Sequence, residues 1–166
     1  MKVLLIFALT ALPFAAVAES NIVTIPGQGW KLVVDTPPLT SSESRNEDGR
    51  FSYTGADTNS GITFSIYTED MANGNSKQCR EKYWTKTKSN PYIVKDSAVM
   101  FETATLFGVT YRSGGVYKGT PFTMVNSHGY FVKNGKCVDL HVSQLPYSDE
   151  GKTKVENIVR SAKIMQ

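Results

Sequence analysis

Residues 127–141 read SHGYFVKNGKCVDLH, and this stretch predicts the β-hairpin around which the fold is built. Asn134-Gly135 at its centre is a preferred pair for a two-residue type I′ turn, because both positions need a positive φ. Such a turn fixes the register, so we expect His128 opposite His141 and Tyr130 opposite Asp139. Alternation along each strand then places these polar side chains on one face of the sheet. The other face carries apolar residues suited to a core: Phe131, Val138, Leu140 and Val142.

Segments on both sides of the hairpin have the alternating pattern of half-buried strands. They are IVTI at 22–25, WKLVVD at 30–35, RFSYT at 50–54 and ITFSIY at 62–67. Strands are also expected near 92–95 and 98–106, and the last third of the chain reads as a β-meander. The polar segment 36–49 contains prolines, so it is expected to hold at most one edge strand. Aromatic residues at strand spacing are expected in the core: Phe51, Tyr53, Phe64, Phe101, Phe107, Phe122 and Phe131.

Two segments are predicted to be helical. Residues 76–88, SKQCREKYWTKTK, begin at a serine that can cap a helix. Residues 150–162 carry Val155, Ile158 and Val159 at the spacing of a stripe that docks on a sheet. The sequence therefore predicts a single α+β domain over residues 19–166, with an antiparallel sheet flanked by helices on both faces.

The first residues of the chain have the features of a secretory signal peptide. Lys2 provides a positive start, an apolar run follows, and Ala16-Val17-Ala18 is a small-residue cleavage signal. We expect residues 1–18 to be removed, which intact-mass analysis of the exported protein would test. No later stretch is apolar enough to predict a transmembrane segment. The expected location is the bacterial periplasm, with secretion as the alternative.

The two cysteines and the charge narrow the class of protein further. An exported chain with Cys79 and Cys137 as its only cysteines is expected to form one disulfide bond between them. Neither belongs to a CxxC pair, which argues against redox catalysis and against a thiolate zinc site. The net charge of +3 is too small to indicate nucleic-acid binding.

The polar face of the hairpin is the first candidate site. His128, His141, Asp139 and Tyr130 are expected to cluster there, and the chain has no other histidine. Two imidazoles and a carboxylate are ligand types that bind zinc or copper. The structural alternative is a half-covered sheet face whose histidines hydrogen-bond to neighbouring side chains. The sequence leaves both interpretations open and requires no cofactor.

A second candidate is an interface on the first predicted helix. Tyr83 and Trp84 stand beside Lys82 and Lys86, and exposed tyrosine and tryptophan are favoured anchors at protein interfaces. The alternative is that the aromatic side chains pack beneath the helix.

The chain resembles the PsbP-like superfamily, which includes an extrinsic photosystem II subunit and small exported bacterial proteins. The resemblance lies in the opening IVTIPGQGWKLVV, the meander GVTYRSGGVYKGTPFTMVNSHGYFVKNGKCVDLHV and the ending VENIVRSAKI. It implies an antiparallel sheet between helices, and an accessory, assembly or binding role rather than catalysis. No motif permits a functional residue of the family to be assigned here.

The motifs of common enzyme classes do not occur in the sequence. It contains no GxSxG, HExxH, phosphate loop or dinucleotide fingerprint. The expected function is a non-enzymatic binding or accessory role toward another envelope or secreted protein, for example as an inhibitor or immunity protein. The alternative is a periplasmic protein that binds a metal or small ligand through the His128/His141 hairpin.

Overall fold

The computed structural model describes residues 18–166. The predicted signal peptide therefore lies outside the described residues, apart from Ala18 at its end. In the described part, 52% of residues are in strands and 16% in helices. The elements follow in the order β1 (Glu19–Thr24), β2 (Lys31–Thr36), β3 (Ser41–Glu47), β4 (Arg50–Asp57), β5 (Ile62–Asp70), α1 (Ser76–Thr87), β6 (Val99–Glu102), β7 (Phe107–Tyr117), β8 (Thr120–Lys133), β9 (Lys136–Gln144), α2 (Asp149–Arg160) and β10 (Lys163–Met165).

The strands form two sheets. A seven-stranded sheet has the order β3-β4-β5-β9-β8-β7-β6, and a three-stranded sheet has the order β1-β2-β10. All strand pairs are antiparallel. The predicted hairpin is formed by β8 and β9, so β9 occupies the centre of the larger sheet.

The register predicted for this hairpin is confirmed. His128 pairs with His141, and Tyr130 pairs with Asp139. The turn residues Asn134 and Gly135 have φ values of 50° and 72°, the positive values that a type I′ turn requires. The local turn chemistry therefore sets which side chains share each face at the centre of the sheet.

The main core lies on the apolar face of the large sheet. Leu140 at the centre of β9 is fully buried there, against strands of the small sheet and against α2. The apolar faces of the two sheets and the apolar stripe of α2 thus meet in one layer. The cluster includes Val23, Leu32, Val34, Phe64, Ile66, Phe131, Val138, Val142, Val155, Ile158 and Val159.

The opposite face of the large sheet is covered by α1 over strands β7 to β9. Cys79 of α1 is fully buried and forms the predicted disulfide with Cys137 of β9, with Cα atoms 5.6 Å apart. A second, smaller cluster surrounds this bond and includes Val109, Tyr111 and Tyr130. The disulfide therefore attaches a polar helix to the middle of the sheet.

The predicted fold class is wrong. The protein is mostly β, with two sheets, and is not a single sheet between helical layers. One face is covered by the small sheet together with α2, and α1 covers only part of the other. The prediction failed because alternation identifies strands but does not say which strands pair. β2 pairs with β1 on one side and, on the other, with the distant β10, a three-residue strand that has no recognisable pattern.

Some boundaries also differ from the prediction. The first helix is capped by Asn75 rather than Ser76, through a capping box with Gln78. In place of strands at 92–95 and 98–106, the chain has an isolated bridge at Ile93 and the short strand β6.

Candidate functional site

The two histidines meet at the centre of the polar sheet face. Their rings are parallel within 7°, with centroids 4.1 Å apart. Nδ1 of His128 lies 2.8 Å from a carboxylate oxygen of Asp139, and its Nε2 lies 3.2 Å from the Tyr111 hydroxyl. Nε2 of His141 lies 3.1 Å from Oδ1 of Asn126. These contacts come from neighbouring strands, so the cross-strand register builds the cluster.

The hydrogen bonds assign a role to each ring. A carboxylate only accepts, so Nδ1–H of His128 donates to Asp139; in the neutral ring, Nε2 then accepts from the Tyr111 hydroxyl. Burial, together with the neighbouring His128, holds the pKa of His141 well below its usual value of 6.5. His141 is therefore neutral, and its Nε2–H donates to Asn126. Both ring nitrogens of His128 and Nε2 of His141 thus have partners within the protein.

The tyrosines beside the histidines are poor proton acceptors. Burial raises the pKa of Tyr130, and the charge of Asp139 adds to this effect. The same two causes, in the same order, raise the pKa of Tyr111. Both hydroxyls stay protonated at physiological pH, so neither supplies the base that acid–base catalysis needs.

The histidine geometry fits a shared metal ion poorly. An imidazole binds a metal along the lone pair in its ring plane, at a distance of about 2.0–2.1 Å. The planes of His128 and His141 are stacked, so their lone pairs run side by side and do not converge on one point. Within residues 18–166, no group of three or more His, Cys, Asp or Glu side chains is arranged to hold a metal ion.

The structure places the predicted interface on α1 only partly at the surface. The ring of Tyr83 stacks on Tyr130 at 5.8 Å, and Trp84 packs against Tyr111 at 5.4 Å. Both aromatic side chains are half-buried beneath the helix. Lys82 is exposed, and its Nζ lies 2.5 Å from Oε1 of Glu69. The aromatic side chains therefore serve the second core cluster more than an exposed surface.

A polar groove of about 700 Å³ runs between α1 and strands β3 to β5. Lys86 and Tyr83 form its helical side, and Tyr67, Arg50 and Arg45 belong to the sheet. Acidic residues alternate with these cations; for example, Glu47 pairs with Arg50 across β3 and β4. The charges balance within the groove, so it shows no preference for an anion or a cation.

An apolar patch at the far end of the same sheet face was not predicted. We call it the hairpin patch: Tyr117, Phe122 and Met124 of the β7–β8 hairpin, together with Leu145 after β9. These side chains line an almost wholly apolar depression of about 350 Å³. Tyr117 and Leu145 are 57% and 45% exposed.

The sequence contains a turn next to Phe122 that indicates this patch, although the strand spacing of Phe122 predicted a core residue. Phe122 was expected in the core, but it lies only a few residues from the Lys118-Gly119 turn, where both residues have positive φ. The tip of a long hairpin extends beyond the layers that cover the rest of the sheet. Phe122 is therefore only half-buried despite its strand spacing.

Within residues 18–166, neither helix is both long enough and apolar enough to cross a bilayer. Each of them has 12 residues.

Comparison with known proteins identifies a similar fold and no family. No protein-family model matches the chain, and no curated protein matches it, so the resemblance to the PsbP-like superfamily is not confirmed. The structure is similar to that of LpqN from Mycobacterium tuberculosis, described as involved in cell envelope biogenesis. The TM-score is 0.51 at 12% sequence identity, over 89% of this chain and 91% of LpqN. At this identity the similarity is one of fold.

A structure from Bacteroides thetaiotaomicron has a TM-score of 0.46 at 12% identity. The similarity covers 81% of this chain and 45% of that one.

Proposed function

We propose that this protein is a non-enzymatic exported protein that binds another envelope or secreted protein through the hairpin patch. The observation that carries the proposal is the patch itself, a cluster of large apolar side chains around a depression, in which Tyr117 and Leu145 are exposed and Phe122 and Met124 are half-buried. Exposed apolar clusters on a folded domain are typical of surfaces that another protein covers. An inhibitor or immunity protein is one form that this function takes.

The chemistry of the patch suits a protein partner. Tyrosine and methionine are enriched at protein interfaces: tyrosine offers a large contact area at a low cost in conformational entropy, and flexible methionine fills irregular gaps. Tyr92 packs edge-on against Phe122 with ring centroids 5.4 Å apart, which supports the floor of the depression. A partner side chain of aliphatic or aromatic type would complete the packing that the depression leaves open.

Two further observations support an envelope location. The disulfide between Cys79 and Cys137 is of the kind that persists in oxidising compartments such as the periplasm. The similar fold of LpqN belongs to a protein that is itself involved in cell envelope biogenesis. The histidine cluster supports a structural role, because both ring nitrogens of His128 and Nε2 of His141 bond to neighbouring side chains, and Tyr111 and Tyr130 remain protonated.

A cross-linking experiment tests the proposal. A photoreactive amino acid at position 117 should cross-link one envelope protein in intact cells, and that protein, once purified, should bind the wild type directly. Leu145→Asp should weaken this binding by at least about tenfold, because it puts a charge into an apolar contact. Ile22→Asp is the matched control, since Ile22 is also apolar and is 60% exposed on β1.

The control variant should bind as the wild type does. If Leu145→Asp and Ile22→Asp bind the captured protein equally well, the hairpin patch is not the docking surface. If position 117 yields no cross-linked protein, the proposed binding function is also overturned.

A further inference from the structure

The outer edge of the large sheet has the features of a second binding surface, separate from the hairpin patch. β3 is the terminal strand of that sheet, and in the described part of the chain no strand pairs with its outer side. All seven of its residues, SSESRNE, are exposed. It has no proline, and its pairing with β4 runs over seven consecutive residues without a bulge. The edge therefore presents a regular row of backbone donors and acceptors.

Charged side chains usually protect an edge strand from other chains, but the charges of β3 are complementary to themselves. When two copies of the strand run antiparallel with Ser44 on a twofold axis, Glu43 of each copy lies opposite Arg45 of the other. Opposite charges at directly paired positions stabilise a sheet, and like charges destabilise it. This register therefore forms two ion pairs related by symmetry.

Neighbouring registers that keep the same sheet faces together are unfavourable. A shift that centres the axis on Glu43 places the two Glu43 carboxylates opposite each other. A shift that centres it on Arg45 opposes the two Arg45 side chains. The charges thus favour the register centred on Ser44 over both of its neighbours.

We propose that β3 pairs with β3 of a second copy of this chain, centred on Ser44, to form a twofold-symmetric dimer with a continuous sheet. In the monomer, Arg45 and Glu43 contact each other at 3.6 Å with both side chains about two-thirds exposed (68% and 66%), so both are accessible to exchange partners. Arg45 also lines the polar groove, as does Glu47. Dimerisation would therefore bring the polar grooves of the two copies to either side of the axis.

Charge-reversal variants test this register. Sedimentation equilibrium of the mature wild type should show a reversible dimer at protein concentrations up to about 1 mM. Glu43→Arg alone and Arg45→Glu alone should each weaken self-association at least about tenfold, because each opposes like charges at both paired positions. An equimolar mixture of the two single variants should form a heterodimer, since positions 43 and 45 then face each other with opposite charges.

Two controls make the result specific. Glu102→Arg reverses a charge on β6, the opposite edge of the same sheet, and should leave the dimer unchanged. Ser44→Cys should form an intermolecular disulfide under mild oxidation, whereas Ser42→Cys should not. The proposal is overturned if the wild type stays monomeric at about 1 mM, or if the mixture associates no better than the single variants. Neither result depends on the hairpin patch.

Discussion

The stacked histidines show how single residues make a polar sheet face compatible with burial. A buried polar group is costly unless a partner satisfies it. Asp139, Tyr111 and Asn126 each provide one such partner from a position that the strand register fixes. The pair is therefore a structural unit whose charge state matters to stability.

Acid should destabilise the protein through His141. Its pKa is held well below 6.5 in the folded state by burial and by His128, whereas in the unfolded chain it is near 6.5. Below that pH the unfolded state binds a proton that the folded state does not. His141 thus costs no stability above pH 6.5, and the free energy of unfolding should fall by up to about 1.4 kcal/mol per pH unit below it.

Urea unfolding at pH 7 and pH 5 measures this effect. His141→Gln cannot take up the proton, so the variant should lose less stability than the wild type between these pH values. An equal loss in both proteins would show that His141 does not contribute to acid sensitivity.

At the scale of elements, the contact between α2 and β8 depends on a missing side chain. A Cβ added at Gly129 would lie 2.7 Å from Cγ1 of Val159 on α2 and 3.0 Å from Cδ2 of Leu106. Glycine at this position therefore lets the helix approach the sheet closely, and the apolar stripe of α2 reaches the core.

Gly129→Ala should lower the free energy of unfolding by about 1–3 kcal/mol, because the added methyl group overpacks this contact. Gly114→Ala is the matched control on the neighbouring strand, where the nearest atom to an added Cβ is at 3.4 Å. Chemical denaturation of both variants measures the difference. Equal stabilities for the two would mean that α2 shifts at little cost.

For the whole molecule, the disulfide connects parts of the chain that are 58 residues apart. α1 is a polar helix with one fully buried residue, Cys79, and it covers the sheet without a broad apolar stripe. The bond to Cys137 therefore supplies attachment that packing alone provides only weakly.

Reduction should cost the protein about 4 kcal/mol of stability, the loop-closure entropy expected for a loop of this length. The comparison is between oxidised and reduced wild type in guanidinium unfolding. Cys79→Ala with Cys137→Ala should match the reduced protein apart from the loss of two small buried side chains. Identical midpoints for the oxidised and reduced forms would contradict this role of the bond.

The sequence determined the features that depend on neighbours along the chain. The Asn134-Gly135 turn needs positive φ at two adjacent positions, and its length alone sets His128 against His141. The apolar spacing of Val155, Ile158 and Val159 likewise predicted α2. The two cysteines left a single possible intramolecular pairing. Each of these inferences rests on local geometry or on a short count.

The tertiary structure decided the features that depend on pairing between distant strands. Only the folded chain brings β10 beside β2 to form a second sheet, and only there does the hairpin patch emerge beyond the covered part of the large sheet. It also turned Tyr83 and Trp84 toward the sheet, where Tyr130 and Tyr111 provide aromatic partners. The alternation of apolar and polar residues in the sequence predicts which side of a strand a side chain faces. Whether that side is covered depends on elements far away in sequence, because burial is a property of the assembled layers.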